Sequence, residues 1–296
     1  MLNFPYNYEN GNAKIYIASD GTREIECDGD LKLDYPLNID VRLSRRCSYG
    51  MNPNGKSVCD FCHESATTDG KDATLADIRT ALDYFDDLPR GTEIAVGINQ
   101  FTDATEYFLN SCHASEFIVN ATVNQGHVRK NLDVIRCHIS KGTINGLGIS
   151  YRAHAQDIPD ELLEYKNMVV HVIAGIDSID EIKELAAKGV KKLLVLGEKD
   201  FGFNFGKVKL VSESHRDWYK RVHEIFKLFD VVSFDNLALE QLNIKRFVKD
   251  WDTMYQHEFS FYVNIVDGTF SPSSRSNDVV SMMNIKEYFQ NHICVR

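Results

Sequence analysis

Short apolar runs alternate with stretches of helical periodicity from Leu37 onward, and this alternation constrains the fold more than any other feature of the chain. The runs at 37–43, 93–97, 116–123, 146–151, 168–173, 192–196, 231–234 and 259–266 read as strands. The 168–173 run, nearly continuous in Val and Ile, suits a strand buried on both faces of a parallel sheet. Between the strands the spacing predicts helices. Leu75, Ile78, Leu82 and Phe85 share one helical face, which ends at Pro89-Arg90-Gly91. Further helices are expected over 103–111, 128–139 and 160–165, through Trp218, Val222, Ile225, Phe226 and Phe229, and at 285–289. Thr74 with Asp77 marks a helix start, Ser178 with Glu181 forms a capping box, and Gly189 fits a helix stop. Strands alternating with helices make parallel βα units, so the expected class is α/β. The expected architecture is a TIM-like full or partial barrel, with a doubly wound open sheet as the alternative.

Ahead of this rhythm, 14–18 and 24–27 flank Asp20-Gly21, a turn signal that predicts a short hairpin. The reading is an N-terminal hairpin extension over 1–36 and a barrel domain over 37–296 that includes the C-terminal segment. Nothing in the composition marks a linker within it.

Charge and composition narrow the function classes. A formal net charge of −10 argues against a broad nucleic-acid surface, which must be basic to neutralise phosphates. No apolar run approaches the roughly 20 residues a membrane span needs, and Met1 to Tyr6 lacks the pattern of a signal peptide. The expectation is a cytoplasmic protein. In a reducing compartment, clustered cysteines point to metal binding or catalysis more than to disulfides. The chain has seven cysteines, an odd number, and three of them cluster.

That cluster lies in the segment after the first barrel strand, where active sites of βα barrels are found. Cys47 is followed after eleven residues by Cys59 and after two more by Cys62. Three thiolates suit an iron–sulfur cubane with one iron left open, since full ligation takes four. The rival is structural zinc with His63 as fourth ligand, although His63 adjoins Cys62 directly and adjacent residues rarely share one tetrahedron. A third possibility is metal-free catalysis by His154 with Asp157, or by His171 with Asp177. Cys27, Cys112, Cys137 and Cys294 stand apart from ligand spacing.

In these residues the chain resembles the radical S-adenosylmethionine (SAM) enzymes, which carry three cysteines in the loop after the first barrel strand. An aromatic residue precedes the third cysteine there, as Phe61 does in Cys59-Asp60-Phe61-Cys62. The eleven-residue first gap departs from the usual three. The resemblance implies a 4Fe-4S cluster on Cys47, Cys59 and Cys62, SAM as cofactor, and Phe61 beside the adenine. It implies that Gly97 and Asn99, ending the second strand, lie near the methionyl amino group. Asn124, Ser150 and Arg152, ending the third and fourth strands, would face ribose and carboxylate. Ile173 and Gly175 match the fifth-strand pattern against the adenine, but His171 stands where that pattern has its first Gly and Ser178 where it has Glu. The implied activity is reductive cleavage of SAM to a 5′-deoxyadenosyl radical that takes hydrogen from a substrate. The implied partners are a small or nucleotide-like substrate and an electron donor such as flavodoxin or ferredoxin. Arg45 and Arg46, beside Cys47, would ease electron entry or stand as solvated charges. The segment 267–276, with its hydroxyls and Arg275, is expected at the mouth and suits a polar or anionic substrate.

Overall fold

A computed structural model describes residues 5–18, 23–59, 61–152, 154–249, 251, 260–274, 276–282, 285, 287 and 288. Asp20-Gly21, Arg275, Cys294, and Lys286 and Phe289 of the expected terminal helix lie outside them.

The chain opens with three strands, β1 (Tyr6–Asn10), β2 (Ala13–Ile17) and β3 (Arg23–Cys27), paired antiparallel in that order. The expected hairpin is β2–β3, and β1 extends it to a three-stranded sheet. Gly11, at φ 63°, makes the added turn, and the backbone of Lys32 occupies the space a side chain would need there. Asn10 and Asn12 fasten the turn to the following segment: Asn10 Nδ2 donates to the Tyr35 carbonyl at 2.9 Å and Asn12 Oδ1 accepts from Lys32 N–H at 2.7 Å. Ile15 and Ile17 are buried in one continuous core with Ile39 and Ile94, so this sheet packs as part of the body.

β4 (Asn38–Arg42) begins the main sheet, and β5 (Arg46–Met51) follows outside it. Then α1 (Leu75–Asp83), β6 (Glu93–Ile98), α2 (Asp103–Ala114), β7 (Ile118–Asn124), α3 (Gln125–Val128), α4 (Leu132–Lys141) and β8 (Gly146–Ser150) succeed one another. The chain continues through α5 (Asp160–Leu163), β9 (Met168–Ile173), α6 (Ile179–Lys188), β10 (Lys192–Leu196), α7 (Glu213–Arg221), β11 (Val231–Phe234) and α8 (Asn236–Gln241). β12 (Ser260–Asn264), β13 (Thr269–Ser271) and β14 (Val280–Ser281) complete it.

The ten-stranded sheet runs β11-β10-β9-β8-β7-β6-β4-β12-β13-β14. Pairing is parallel from β11 to β12 and antiparallel beyond. Strands β4 to β11 lie side by side in chain order, as successive right-handed crossovers dictate. A doubly wound sheet would reverse its order partway. β12 joins β4 on its other flank, and among the described residues neither β12 nor β14 pairs with β11. The barrel is therefore partial.

The two faces of the curved sheet differ chemically. Ile39, Ile94 and Val119 are in register and buried on the outer face, as are Val41, Val96, Ala121, Leu147 and Met168 one step on. The inner face carries Arg42, Gly97, Thr122, Gly148 and Val169 in one register row and Asn124, Ser150, His171 and Leu194 in the next, so that its polar and glycine positions lie from β4 to β9. A closed barrel fills its interior with branched apolar side chains; this one leaves a polar inner wall. Gly148 is small because the His171 ring and the Thr122 hydroxyl occupy the space its Cβ would take.

Three helices depart from expectation. α1 stops at Asp83, and a tight turn through Leu88 tucks Phe85 into the core while Leu75 stays exposed. The helix expected over 128–139 is broken: Asn124 caps α3 early by accepting from Gly126 N–H, and a 3-10 turn at Arg129–Asn131 separates it from α4. α7 passes into a 3-10 turn at Val222–Ile225. Among the described residues no helix is long and apolar enough to cross a membrane.

Candidate functional site

The segment between β4 and α1 is folded, where the sequence alone reads as a polar loop. β5 carries Cys47 and is held by Thr67 N–H donating to the Arg45 carbonyl at 2.9 Å and Met51 N–H to the Ala66 carbonyl at 2.9 Å. Gly50 and Gly70 allow these backbones their close approach. Beyond β5, Asn52 Oδ1 accepts from Asn54 N–H at 2.9 Å and Lys56 N–H at 3.1 Å, which reverses the chain. Val58 and Cys59 then donate their N–H groups to the Tyr49 carbonyl at 3.1 and 3.3 Å. The long gap between Cys47 and Cys59 is thus a hairpin-like excursion that returns Cys59 to within two residues of Cys47's position on β5. Cys62 N–H donates to the Cys59 carbonyl at 3.0 Å, closing a tight turn, and the Cys62 carbonyl accepts from Phe203 N–H at 3.0 Å.

The three thiols feel one another. Burial pushes the Cys47 thiol up, and Cys62 adds to that rise. Burial likewise raises Cys59, against the pull of the Arg152 guanidinium, with Cys62 and Cys47 raising it further. Among the described residues no three or more His, Cys, Asp or Glu side chains converge closely enough to chelate a single ion. His63, the fourth ligand of the zinc reading, holds Glu64 instead, Nε2 to Oε1 at 3.2 Å, with its ring edge against Phe201. Cys47 Sγ has His127 Nε2 at 3.7 Å, and Tyr49 tilts against the same ring with centroids 4.8 Å apart. Cys27 and Cys137 are exposed and Cys112 is buried, each away from this group.

Across from the cysteines stand the C-terminal ends of β7 and β8. Gln125 staples them together: its Oε1 accepts from Arg152 N–H at 2.9 Å and its Nε2 donates to the His154 carbonyl at 2.8 Å. Arg152 lies over the Phe61 ring, 4.7 Å from its centroid, and its buried Nε has no hydrogen-bond partner among the described residues. Cys59, Asn124, Gln125 and Arg152 line a cleft of about 280 Å³, with Tyr49 and Gly126. The Tyr49 hydroxyl fills the space a Cβ at residue 126 would need.

Of the residues singled out in the sequence, Cys59, Asn124 and Arg152 meet at this cleft, and Phe61 joins through its stack on Arg152. Asn124 also spends its side-chain oxygen capping α3. Ser150 shares the inner-wall row with Asn124 and His171. Gly97 ends its strand on the inner face with open space around it, and Asn99 follows, half-buried. Ile173 gives its N–H to Asp177 Oδ2 at 2.6 Å. Gly175, at φ 92°, turns the chain under the His215 ring. Gly97, Asn99, Ser150, Ile173 and Gly175 do not line the cleft.

The metal-free pairings are not assembled. His154 is exposed while Asp157 faces Arg129 at 3.4 Å. His171 and Asp177 each sense Arg152 and not each other. Gln125 ends the third strand beside Asn124 as the sequence suggests, whereas Tyr49 and His127 are residues that spacing alone does not find. Their partners lie far off in sequence, and only the order of β5, β7 and β8 brings them together.

No protein-family model matches the sequence, and no curated protein matches it. The coordinates do have relatives. The crystal structure of Streptococcus suis SuiB bound to precursor peptide SuiA superposes with a TM-score of 0.59 at 12% identity over 88% of this chain and 66% of that one. SuiB bound to S-adenosylmethionine gives 0.56, 12%, 88% and 65%. The fold is that of these SuiB structures. A further crystal structure of Streptococcus suis SuiB gives a TM-score of 0.57 at 13% identity, over 89% of this chain and 65% of that one. The chain spans just under two thirds of SuiB's length. In this fold the cysteine segment and the cleft sit at the C-terminal end of the partial barrel.

Proposed function

We propose that the protein is a radical SAM enzyme. A 4Fe-4S cluster would be held by Cys47, Cys59 and Cys62, with SAM in the adjoining cleft. The observation that supports this reading is the return of the chain through the Asn52–Lys56 turn, which brings Cys59 back to Tyr49, two residues from Cys47 on β5, despite the lengthened first gap. A cubane offers a separate iron to each thiolate, so its ligands stand further apart than those of one tetrahedral zinc. That suits thiols that share a field without converging on a point. When bound, the cluster and SAM would supply one-electron reductive chemistry ending in hydrogen abstraction from a substrate.

The chain's own residues hold and orient. Arg152 offers its orphaned Nε and a planar cation for the cofactor carboxylate. Phe61, stacked on Arg152, gives an aromatic face for the adenine. Asn124 and Ser150 offer polar contacts to the ribose side, and Gly97 and Asn99 leave backbone groups for the amino group. Ile173 and Gly175 shape the end of β9 on the adenine side. Reduced flavodoxin or ferredoxin would deliver the electron, and the substrate would be small or nucleotide-like.

The decisive experiment is anaerobic reconstitution followed by an absorption spectrum and iron and sulfide analysis. Wild type should show a broad brown band and about four irons per chain. The Cys47→Ala/Cys59→Ala/Cys62→Ala variant should lose both, and only wild type should release 5′-deoxyadenosine from SAM under reduction. A colourless wild type carrying zinc would refute the proposal.

A further inference from the structure

The segment from Cys59 to Glu64 borders two clefts. The first, with Cys59 and Arg152, is the one assigned to the cofactor. The second, about 290 Å³, opens at the C-terminal ends of β4 and β12, beside His63 and Glu64. Ligands of parallel βα sheets bind at that end of the strands. His63 and Glu64, which line the second cleft, directly follow the third cysteine in the chain.

Its charges are already spent on one another. Arg42 Nε lies 3.0 Å from Glu64 Oε2 as an ion pair, without making a hydrogen bond, and a second nitrogen of Arg42 donates to the Glu64 carbonyl. Glu64 also takes His63 Nε2 at 3.2 Å and the Tyr262 hydroxyl at 3.2 Å. Arg45 pairs with Asp267, which also accepts from Asn264 Nδ2 at 2.8 Å. Two cations and two carboxylates thus cancel, and each carboxylate is anchored by more than one donor. A phosphate or carboxylate entering the cleft would have to displace a resident carboxylate from its guanidinium and leave it unpaired. Among the described residues, what remains free in the cleft is neutral. The Thr269 and Ser274 hydroxyls line the cleft and make no side-chain hydrogen bond among the described residues. Asn264, Ser271 and Ser276 add further uncharged donors and acceptors.

We propose that this second cleft is the substrate site, and that the substrate is an uncharged small molecule rich in hydroxyl or amide groups. The inference rests on the radical SAM reading for the word substrate, and on the cleft alone for the ligand class. A ligand of this class satisfies Thr269 and Ser274 and leaves both ion pairs intact.

The test is ligand-observed NMR on the full chain with matched probes: cytidine, guanosine and glucose against cytidine 5′-monophosphate, guanosine 5′-monophosphate and glucose 6-phosphate. At least one uncharged probe should bind, with its phosphorylated partner weaker by tenfold or more. Thr269→Val/Ser274→Ala removes two hydroxyls that hold nothing else, so the fold should survive while binding weakens about tenfold. Cys47→Ala/Cys59→Ala/Cys62→Ala should bind the probe as wild type does. Tighter binding of the phosphorylated probes, no binding of any uncharged probe, or unchanged binding by Thr269→Val/Ser274→Ala would overturn the inference. Iron analysis of the same samples separates the two ideas. Iron present with no uncharged probe bound sinks the ligand class alone. Iron absent with the binding pattern intact sinks the radical reading and leaves the ligand class supported.

Discussion

Asp177 keeps its proton to a higher pH than an ordinary aspartate. Burial raises its pKa to about 6, against the lowering effects of the Ile173 N–H and Arg152. In the unfolded chain the same carboxyl ionises near pH 3.9, roughly. Between those values the folded protein binds a proton that the unfolded chain has released, so stability falls as pH rises through the window. Asp177→Asn keeps an acceptor for Ile173 and removes the charge. Urea denaturation should find the variant equal to wild type near pH 4 and more stable near pH 7 by about 3 kcal/mol; an equal offset at both would show that the charge is not the cause. His171 works the other way. Burial first and Arg152 second lower its pKa to about 4, so the unfolded chain takes up the proton first as pH falls from roughly 6.5. Stability is lost across that acidic window, and His171→Asn should reduce the loss. Arg152 itself makes a third residue-scale prediction. Lys in its place keeps the charge but loses the planar fork and the stack on Phe61. Arg152→Lys should bind SAM about tenfold more weakly in equilibrium dialysis, with iron content unchanged. The three cysteines and Arg152 are legible in the sequence because spacing and strand ends mark them. His127, 80 residues from Cys47, carries no such mark.

At the scale of elements, local chemistry explains what the sequence discloses. Ser178 and Glu181 form a reciprocal capping box on α6, as do Thr74 and Asp77 on α1, and Gly189 ends α6 in the left-handed region. These signals lie within a few residues of one another, so no tertiary knowledge is needed to read them. Ser178→Ala should lower stability by about 1 kcal/mol in a thermal or urea melt. Gly175→Ala should lower it by more, because φ 92° is strained for any side chain and the His215 ring already fills the space. If the two variants melted alike, the packing of α7 on the β9 turn would be looser than the contact implies. β5 is illegible for the converse reason. Arg46-Cys47-Ser48-Tyr49-Gly50-Met51 has no apolar alternation, and its partners lie in the irregular stretch 65–71. The break between α3 and α4 is equally hidden, since Asn124 both ends β7 and caps α3.

For the whole molecule, the βα rhythm predicts the parallel order of β4 to β11, because a strand buried behind a helix must be apolar at every outward position. It does not predict where β12 joins, since nothing in the sequence of 260–264 names β4 as its neighbour. Nor does it predict that the N-terminal sheet shares the core, with Tyr8 against Gly91 and Arg23 paired to Glu93. A chain beginning at Leu37 should therefore unfold at lower temperature and less cooperatively than the full chain, as circular dichroism would show. An unchanged melt would make the first 36 residues an independent appendage. The polar inner wall has a thermodynamic consequence as well. Asn, Thr, Ser and Arg side chains facing a bowl are wet before a ligand arrives, so binding there exchanges ordered water for ligand contacts and covers little apolar surface. Calorimetry on any occupant of the bowl should accordingly show a binding heat that changes little with temperature.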